Sequence, residues 1–181
     1  MTRCDWAKST LEIAYHDQEW GKPKYEDAML FEMLILEGLQ AGLSWSTILV
    51  KRENYRKALD GFDPQKIKDY DQEKLDDLLQ DAGLIRNRLK MQAIVKNANA
   101  FIQVQAEFGS FSSYLWAYVS GQPIQHDYQA LSDVPASSDI SEKMSQDMKK
   151  RGFSFVGPTI CYAYMQSVGL VNDHLVSCDY R

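Results

Sequence analysis

The sequence predicts an all-α fold. Apolar residues recur at helical spacing along most of the chain, helix-capping residues precede several of these stretches, and no segment alternates polar and apolar residues over the length of a strand. With 181 residues, of which 45% are hydrophobic and 25% charged, the chain has the composition of a globular protein. We therefore expect a single compact unit over residues 1–181.

The first half of the chain predicts a series of helices joined by short connections. Asp27 precedes an apolar stretch that runs through Leu39, and Ser44 is a suitable N-cap for a helix that continues to about Ala58. Asp63 is followed by proline, which is typical of the start of a helix. Further helices are predicted over 71–83, 87–106 and 111–119.

The second half predicts a loop and then two helices. Glycine and proline residues mark 121–136 as a loop. A polar helix is predicted from about Ser138 to Gly152, and an apolar helix from Pro158 to Val168. The two helices are separated by a short turn that begins and ends with glycine.

Charge and hydropathy exclude several classes of protein. A net charge of −5 argues against a wholly basic nucleic-acid binder, although one basic face remains compatible with it. The most apolar stretch, 29–43, is interrupted by Glu32, Glu37 and Gln40, so no membrane span is predicted. The N-terminus has no apolar signal segment, and three cysteines cannot form a complete disulfide set. We expect a cytoplasmic monomer.

Cysteine and histidine residues near both ends of the chain form a candidate metal site. Cys4 and His16 lie near the N-terminus, and His174 and Cys178 lie four residues apart near the C-terminus. Two thiolates and two imidazoles complete a tetrahedral zinc site with no open position, so such a site is structural. From spacing alone coincidence remains the alternative, because the N-terminal pair lacks zinc-finger spacing.

A basic segment leads into the glycine-bracketed turn. Lys149, Lys150 and Arg151 precede the turn, which consists of Gly152, Phe153, Ser154, Phe155, Val156 and Gly157. Glycine allows close approach of the backbone, and the N–H groups at a helix start can bind a phosphate. Two helices joined in this way can hold a nucleic-acid backbone without reading its sequence. The alternative is an ordinary corner between two helices with a solvated basic end.

Aromatic residues are concentrated near the N-terminus. They are Trp6, Tyr15, Trp20, Tyr25 and Trp45. Glu37 lies in an otherwise apolar predicted helix. Aromatic faces and one carboxylate suit a flat cationic heterocycle, whereas a tryptophan-rich core with one partly solvated glutamate is the alternative. Motifs of serine hydrolases, P-loop enzymes, zinc proteases and dinucleotide-binding enzymes are absent.

Several segments together resemble the bacterial type I 3-methyladenine DNA glycosylases of the helix-hairpin-helix glycosylase superfamily. The segments are RCDWA (3–7), AYHDQEWG (14–21), LFEMLILEGLQAGLSW (30–45), KRENYR (51–56), LLQDAGLIRNRLK (78–90) and KKRGFSFVGPTICYAYMQSVGLVNDH (149–174), followed by Cys178. They extend over nearly the whole chain, and several are long and unusual.

The resemblance implies a base-excision repair enzyme for alkylated double-stranded DNA. Such an enzyme flips 3-methyladenine out of the duplex and hydrolyses its N-glycosidic bond, which releases the free base and leaves an abasic site without strand cleavage. The resemblance also implies an all-α fold whose ends are tied by a structural zinc. The implied lobes are 1–25 with 165–181, and a helical domain over 26–164 with its hairpin at 152–157. The implied zinc ligands are Cys4, His16, His174 and Cys178.

The resemblance assigns the base-binding pocket. Glu37 is the implied catalytic carboxylate, for which recognition of the base ranks above a role as general base. Tyr15 is the implied pocket tyrosine and Trp45 the stacking tryptophan, with Trp6 and Trp20 at neighbouring aromatic positions.

The resemblance also assigns DNA contacts. Gly42 and Leu43 correspond to the segment that enters the gap left by the flipped nucleotide. The turn 152–157 and the basic residues 149–151 correspond to the hairpin that contacts phosphates. Three alternatives stay open: a silent binder of DNA structure, a zinc-stapled protein-interaction domain, and a glycosylase with a broader range of alkylpurines.

Two positions depart from the pattern of the superfamily. Many of its members carry a catalytic aspartate beyond the hairpin, and the nearest candidate here, Asp173, is adjacent to His174. We predict that Asp173 orients that histidine and does not act in catalysis. Leu39 occupies a position that is often polar in the family. Cys161 is predicted to pack in the last helix, and His126 to lie in a loop without a partner.

Overall fold

The computed structural model describes residues 1–181 and confirms the mostly helical fold. Its helices are α1 (Thr10–Gln18), α2 (Asp27–Gln40), α3 (Trp45–Ala58), α4 (Pro64–Ile67), α5 (Gln72–Gln80), α6 (Arg88–Phe108), α7 (Phe111–Ala117), α8 (Asp139–Lys150) and α9 (Pro158–Ser167). Short 3-10 turns lie at Asp60–Phe62 and Leu131–Asp133. None of the helices combines the length and the apolar character that a membrane crossing requires.

Side-chain caps explain where several helices begin. Ser44 accepts a hydrogen bond from the Thr47 N–H at 3.2 Å, and Asp63 accepts one from the Gln65 N–H at 2.9 Å. Both predicted helix starts are therefore confirmed. The sequence analysis missed α1, which Ser9 caps in a reciprocal arrangement with Glu12.

Asp27 begins α2 as predicted, but its carboxylate serves a different helix. It accepts the backbone N–H groups of Phe111 and Ser112 at 2.9 and 2.8 Å and the side-chain amide of Gln105 at 2.7 Å. The N–H groups at the start of a helix lack partners inside the helix. Asp27 therefore caps α7 and ties α2 to α6 and α7.

Two strands of two residues each are the only sheet. β1 (Ile124–Gln125) and β2 (Val171–Asn172) pair in parallel, with Ile124 opposite Val171. The sequence did not predict them, because two residues are too few to show an alternating pattern. Their pairing holds the loop that follows β1 beside the segment that follows α9.

α2 is the central helix. Nine of its fourteen residues are buried, namely Leu30, Phe31 and Met33 through Leu39. It packs against α3, α6, α7 and α9. Cys161 packs in α9 as predicted, with 1% of its surface exposed. α3 and α9 pack against α2, and α1 packs against α3, so side chains from all four helices line the space beside Glu37.

Candidate functional site

A cavity of about 440 Å³ lies between α1, α2, α9, the start of α3 and the loop that follows β1. It brings together all five predicted pocket residues: Trp6, Tyr15, Trp20, Glu37 and Trp45. Its other lining residues are Glu12, Gln40, Leu131, Val134, Pro135, Ala136, Thr159, Tyr162, Ala163 and Gln166. The volume is in the range of pockets that bind small molecules.

Three buried polar atoms in the cavity wall have no hydrogen-bond partner. They are Tyr15 Oη, Glu37 Oε2 and Trp45 Nε1. Buried polar groups in proteins are nearly always paired, and one left unpaired costs about 1–3 kcal/mol. Since all three line one cavity, the wall is suited to a ligand that offers both a hydrogen-bond donor and an acceptor.

The environment of Glu37 favours its neutral form when the cavity holds no cation. The side chain lies in an apolar helix, and burial raises its pKa to about 8. A cation bound against it would lower that pKa again. Burial, followed by the nearby Glu37 charge, also raises the pKa of Tyr15 well above its ordinary value, so Tyr15 remains a neutral phenol.

Four aromatic rings surround the carboxylate. The ring centroids of Tyr15 and Trp45 are 5.2 Å apart, and those of Trp6 and Trp20 are 5.1 Å apart in an edge-on arrangement. Tyr25, which the sequence grouped with them, is 54% exposed and stacks on Trp116 outside the cavity. The remaining faces are suited to stacking against a flat heterocycle.

The predicted metal ligands form one buried cluster. The ligand atoms of Cys4, His16, His174 and Cys178 all lie within 4.8 Å of one another. Cys178 Sγ is 3.4 Å from His174 Nδ1 and 3.5 Å from His16 Nε2. A loop rather than a helical turn presents His174 and Cys178. Two sulfur and two nitrogen donors at this spacing can hold a metal ion.

The second ring nitrogen of each histidine has an acceptor outside the cluster. His16 Nδ1 contacts the Asp17 carboxylate at 2.8 Å, and Arg3 holds that carboxylate and keeps its pKa well below its usual range. His174 Nε2 contacts the Trp20 carbonyl at 3.1 Å, and burial lowers the pKa of His174 to about 4. These outer contacts orient both rings so that their other nitrogens face the cluster.

The turn between α8 and α9 has two carbonyl groups held by side chains and three N–H groups free. Asn97 donates to the Ser154 carbonyl at 3.0 Å, and Ser145 donates to the Val156 carbonyl at 2.6 Å. The backbone N–H groups of Phe155, Val156 and Gly157 have no acceptor in the protein. The turn therefore offers hydrogen-bond donors to a ligand such as an anion.

The basic residues before this turn differ from one another. Lys149 and Lys150 are exposed and form no ion pair. Arg151 instead pairs with Asp147 and with Glu107, each at 2.7 Å. Its charge is thus largely balanced within the protein, so of these three residues the two lysines carry the free positive charge.

The segment between α2 and α3 is held in place by a buried lysine. Lys90 Nζ donates to the carbonyls of Leu39 and Ala41 at 2.8 and 2.6 Å, which satisfies the end of α2. Gly42 then adopts a φ of 76°, and the Leu43 that follows is 40% exposed. An apolar side chain therefore lies exposed next to the start of α3.

The methyladenine glycosylase family model matches residues 6–181. This chain belongs to that family. DNA-3-methyladenine glycosylase 1 of Escherichia coli (strain K12) is 50% identical to this chain over 179 residues, which cover 98% of this chain and 96% of that protein. DNA-3-methyladenine glycosylase of Haemophilus influenzae is 48% identical over 178 residues, which cover 98% and 96%. A solved structure of a 3-methyladenine DNA glycosylase I variant in complex with 3-methyladenine has a TM-score of 0.96 at 35% identity, covering 99% of this chain and 97% of that chain.

Two predictions about this methyladenine glycosylase family member are wrong. Asp173 does not orient His174; its carboxylate accepts the Tyr162 hydroxyl at 2.6 Å and the Gln166 amide at 2.8 Å. His126 has a partner after all, because its Nδ1 lies 2.6 Å from the other Asp173 oxygen. Asp173 is 1% exposed and surrounded by these groups, so it holds the cavity wall.

Sequence reasoning missed the wall that α9 and the loop contribute. Thr159, Tyr162, Ala163 and Gln166 share one face of α9, and their helical spacing was a signal that could have revealed it. Leu131 and the segment 134–136 also line the cavity. No local signal could have found these loop residues, because the pairing of β1 with β2 places the loop.

Proposed function

We propose that this protein is a DNA glycosylase that removes 3-methyladenine from alkylated double-stranded DNA. The observation that carries the proposal is the cavity in which aromatic rings surround three unpaired polar atoms. Membership of the methyladenine glycosylase family supports it, as does the similarity to a glycosylase solved with 3-methyladenine.

Recognition follows from the charge of the damaged base. Methylation at N3 of an adenine joined to deoxyribose makes the base a cation. The aromatic rings stack on that cation and attract it through their faces. Glu37 accepts a hydrogen bond from the edge of the ring, and the positive charge favours the ionised carboxylate. An uncharged adenine can stack but lacks the positive charge that the ring faces and the carboxylate attract, so the pocket favours the damaged base.

The reaction needs no strong acid. The bond between C1′ and N9 breaks, and its electron pair leaves with the base, which departs neutral. Water adds to C1′ and loses a proton, so an abasic site forms and the phosphodiester bonds stay intact. Glu37 serves mainly in recognition, and receipt of the water proton is its secondary role. Extrusion of the base costs a few kcal/mol, least for a weakly paired damaged base.

DNA is held by the turn 152–157 and by the exposed segment between α2 and α3. The free N–H groups of the turn contact a phosphate, and Lys149 and Lys150 add attraction to the backbone. Arg151 stabilises the end of α8. Gly42 and Leu43 enter the space that the flipped nucleotide leaves, where the exposed leucine replaces stacking contacts.

Zinc is the metal that the Cys2His2 donor set favours. With four protein ligands the ion has no open position, so it is structural and supplies no step of the reaction. The cluster also borders the pocket, since His174 contacts the Trp20 carbonyl and the His16 ring lies 5.3 Å from that of Trp6.

The experiment that tests the proposed function is release of free base from methylated duplex DNA, resolved by chromatography. Glu37→Gln is assayed in parallel, with Glu26→Gln as a matched control outside the cavity. We expect 3-methyladenine from the parent chain and from Glu26→Gln, intact strands, and little release from Glu37→Gln. Absence of released base from a folded parent chain would refute the proposal.

A further inference from the structure

A polar side chain from a distant helix holds the turn 152–157. Asn97 lies in α6 and is 3% exposed. Its Nδ2 donates to the Ser154 carbonyl at 3.0 Å, and its Oδ1 accepts the Ser154 N–H at 2.8 Å. One side chain thus satisfies both backbone groups of a residue that is 57 positions away in the sequence.

Asparagine is suited to this contact and poorly suited to its own helix. Its amide carries a donor and an acceptor side by side, as a peptide group does. Asparagine is a weak helix former, and a buried amide among apolar neighbours is unfavourable unless it is hydrogen-bonded. Neither the stability of α6 nor the packing of the core therefore accounts for Asn97, whereas the turn does.

The turn needs external support because its backbone is strained. Phe155 adopts a φ of 55°, in the left-handed region that costs a non-glycine residue roughly 1–3 kcal/mol. Asn97 holds the residue before Phe155, and Ser145 holds the carbonyl of the residue after it. With these groups occupied, the N–H groups of 155–157 are the ones left without a protein acceptor.

The same turn packs against the pocket helix. The side chain and carbonyl of Phe155 lie against Gly38, which follows Glu37 in α2. Asn97 and Gly38 also line one small crevice with Phe155. The position of the turn relative to the base-binding pocket is thus set by contacts on both of its sides.

We propose that Asn97 is a positioning residue for DNA binding, which holds the turn 152–157 so that its free N–H groups can contact a phosphate. This inference rests on the proposed function. Without the amide, the strained turn relaxes and its N–H groups no longer converge. Affinity for duplex DNA then falls, while the cavity for the base keeps its shape.

Variants of Asn97 separate an effect on duplex binding from an effect on the cavity for the base. Asn97→Leu has a similar size and no hydrogen bond to the turn, whereas Asn97→Asp keeps the acceptor and loses the donor. Asn99→Leu and Asn99→Asp are matched controls, because Asn99 is exposed on the same helix and bonds only to the Val95 carbonyl. We would measure the dissociation constants for a duplex with a stable abasic-site analogue and for free 3-methyladenine, below the melting temperature of each variant.

We expect both Asn97 variants to bind the duplex at least tenfold more weakly and to bind free 3-methyladenine within twofold of the parent chain. In excision assays KM rises and kcat stays constant. The Asn99 variants should match the parent. Duplex affinity equal to that of the parent would overturn the inference, as would equal losses for the duplex and the free base. A parent chain that does not bind the duplex would overturn the proposed function as well.

Asn97→Asp supplies a second test if Asn97→Leu does not fold. Protonation of the introduced carboxyl restores a donor for the Ser154 carbonyl. The duplex affinity of Asn97→Asp, divided by that of the parent chain at the same pH, should therefore rise as the pH falls. A ratio that stays constant with pH would contradict the role of the donor.

Discussion

Two buried carboxylates have contrasting surroundings: Glu37 lines the cavity, whereas Asp173 is bonded to two residues of the α9 wall. On the α2 side, Glu37 has an oxygen without any partner, and Tyr15 and Trp45 beside it also carry unpaired polar atoms. On the α9 side, Asp173 contacts donors from Tyr162 and Gln166 and a ring nitrogen of His126. The side chains of both acids are almost inaccessible to solvent.

The difference indicates which groups act on a ligand. A carboxylate whose oxygens are occupied by protein groups stabilises the wall, whereas one that lacks partners is available to the base. Changes on the paired side, which includes the metal cluster, should therefore affect mainly stability. Changes on the unpaired side should affect mainly recognition and excision.

The largest effect is expected from the metal cluster. Cys178→Ser removes one of four ligands, and we expect a loss of about 5 kcal/mol or more in the free energy of unfolding. Elemental analysis should find about one zinc per parent chain and far less in the variant. Cys161→Ser is the control, because that cysteine is buried outside the cluster and its variant should keep the metal. Full zinc occupancy in Cys178→Ser would refute the assignment of this ligand.

The next effect is the contribution of Glu37 to the dependence of stability on pH. Burial raises its pKa from 4.5 to about 8, so the folded chain holds a proton that the unfolded chain has released between these values. The stability of the parent, relative to Glu37→Gln, is therefore highest below pH 4.5 and falls as the pH rises through about 8. The total change is on the order of 5 kcal/mol, because each pKa unit corresponds to about 1.4 kcal/mol. Chemical unfolding of both proteins from pH 5 to 9 measures this change. If the free energies of unfolding of the parent and of Glu37→Gln varied with pH in parallel, the raised pKa would be contradicted.

On the paired side, Asp173→Asn leaves at least one of the groups around Asp173 unsatisfied. We expect it to lower the free energy of unfolding by about 2 kcal/mol, since a buried group loses its partner. The exposed Asp69→Asn serves as the control and should change little. Urea unfolding at neutral pH gives both values. Unchanged stability in Asp173→Asn would remove the contrast between the two walls.

The smallest effect concerns the Trp45 N–H group. Trp45→Phe keeps an aromatic ring and removes the unpaired donor, so affinity for free 3-methyladenine should fall about fivefold, in line with one hydrogen bond. Trp45→Ala removes the stacking face too and should weaken binding further. Calorimetric titration measures both, with Tyr25→Phe as a control outside the cavity. Equal affinity for Trp45→Ala and the parent would assign stacking to another ring.

The sequence predicted features that local patterns carry, and it missed features that distant contacts create. Helical periodicity and capping residues identified α2 and α3, and residue types near the two ends identified the candidate metal ligands. The partners of Asp173 could not be found, because Tyr162 and Gln166 look like ordinary residues of an apolar helix. Asn97 likewise looks like a surface residue of α6, and only the fold brings it to Ser154.

The central claim is that Glu37 acts on the damaged base and not on the DNA backbone. The most direct measurement is single-turnover excision of 3-methyladenine by the parent and by Glu37→Gln, beside their affinities for a duplex with an abasic-site analogue. We predict excision slower by about 100-fold, which corresponds to about 2.7 kcal/mol, with duplex affinity within twofold. Equal excision rates, or equal losses of excision and duplex affinity, would contradict the account.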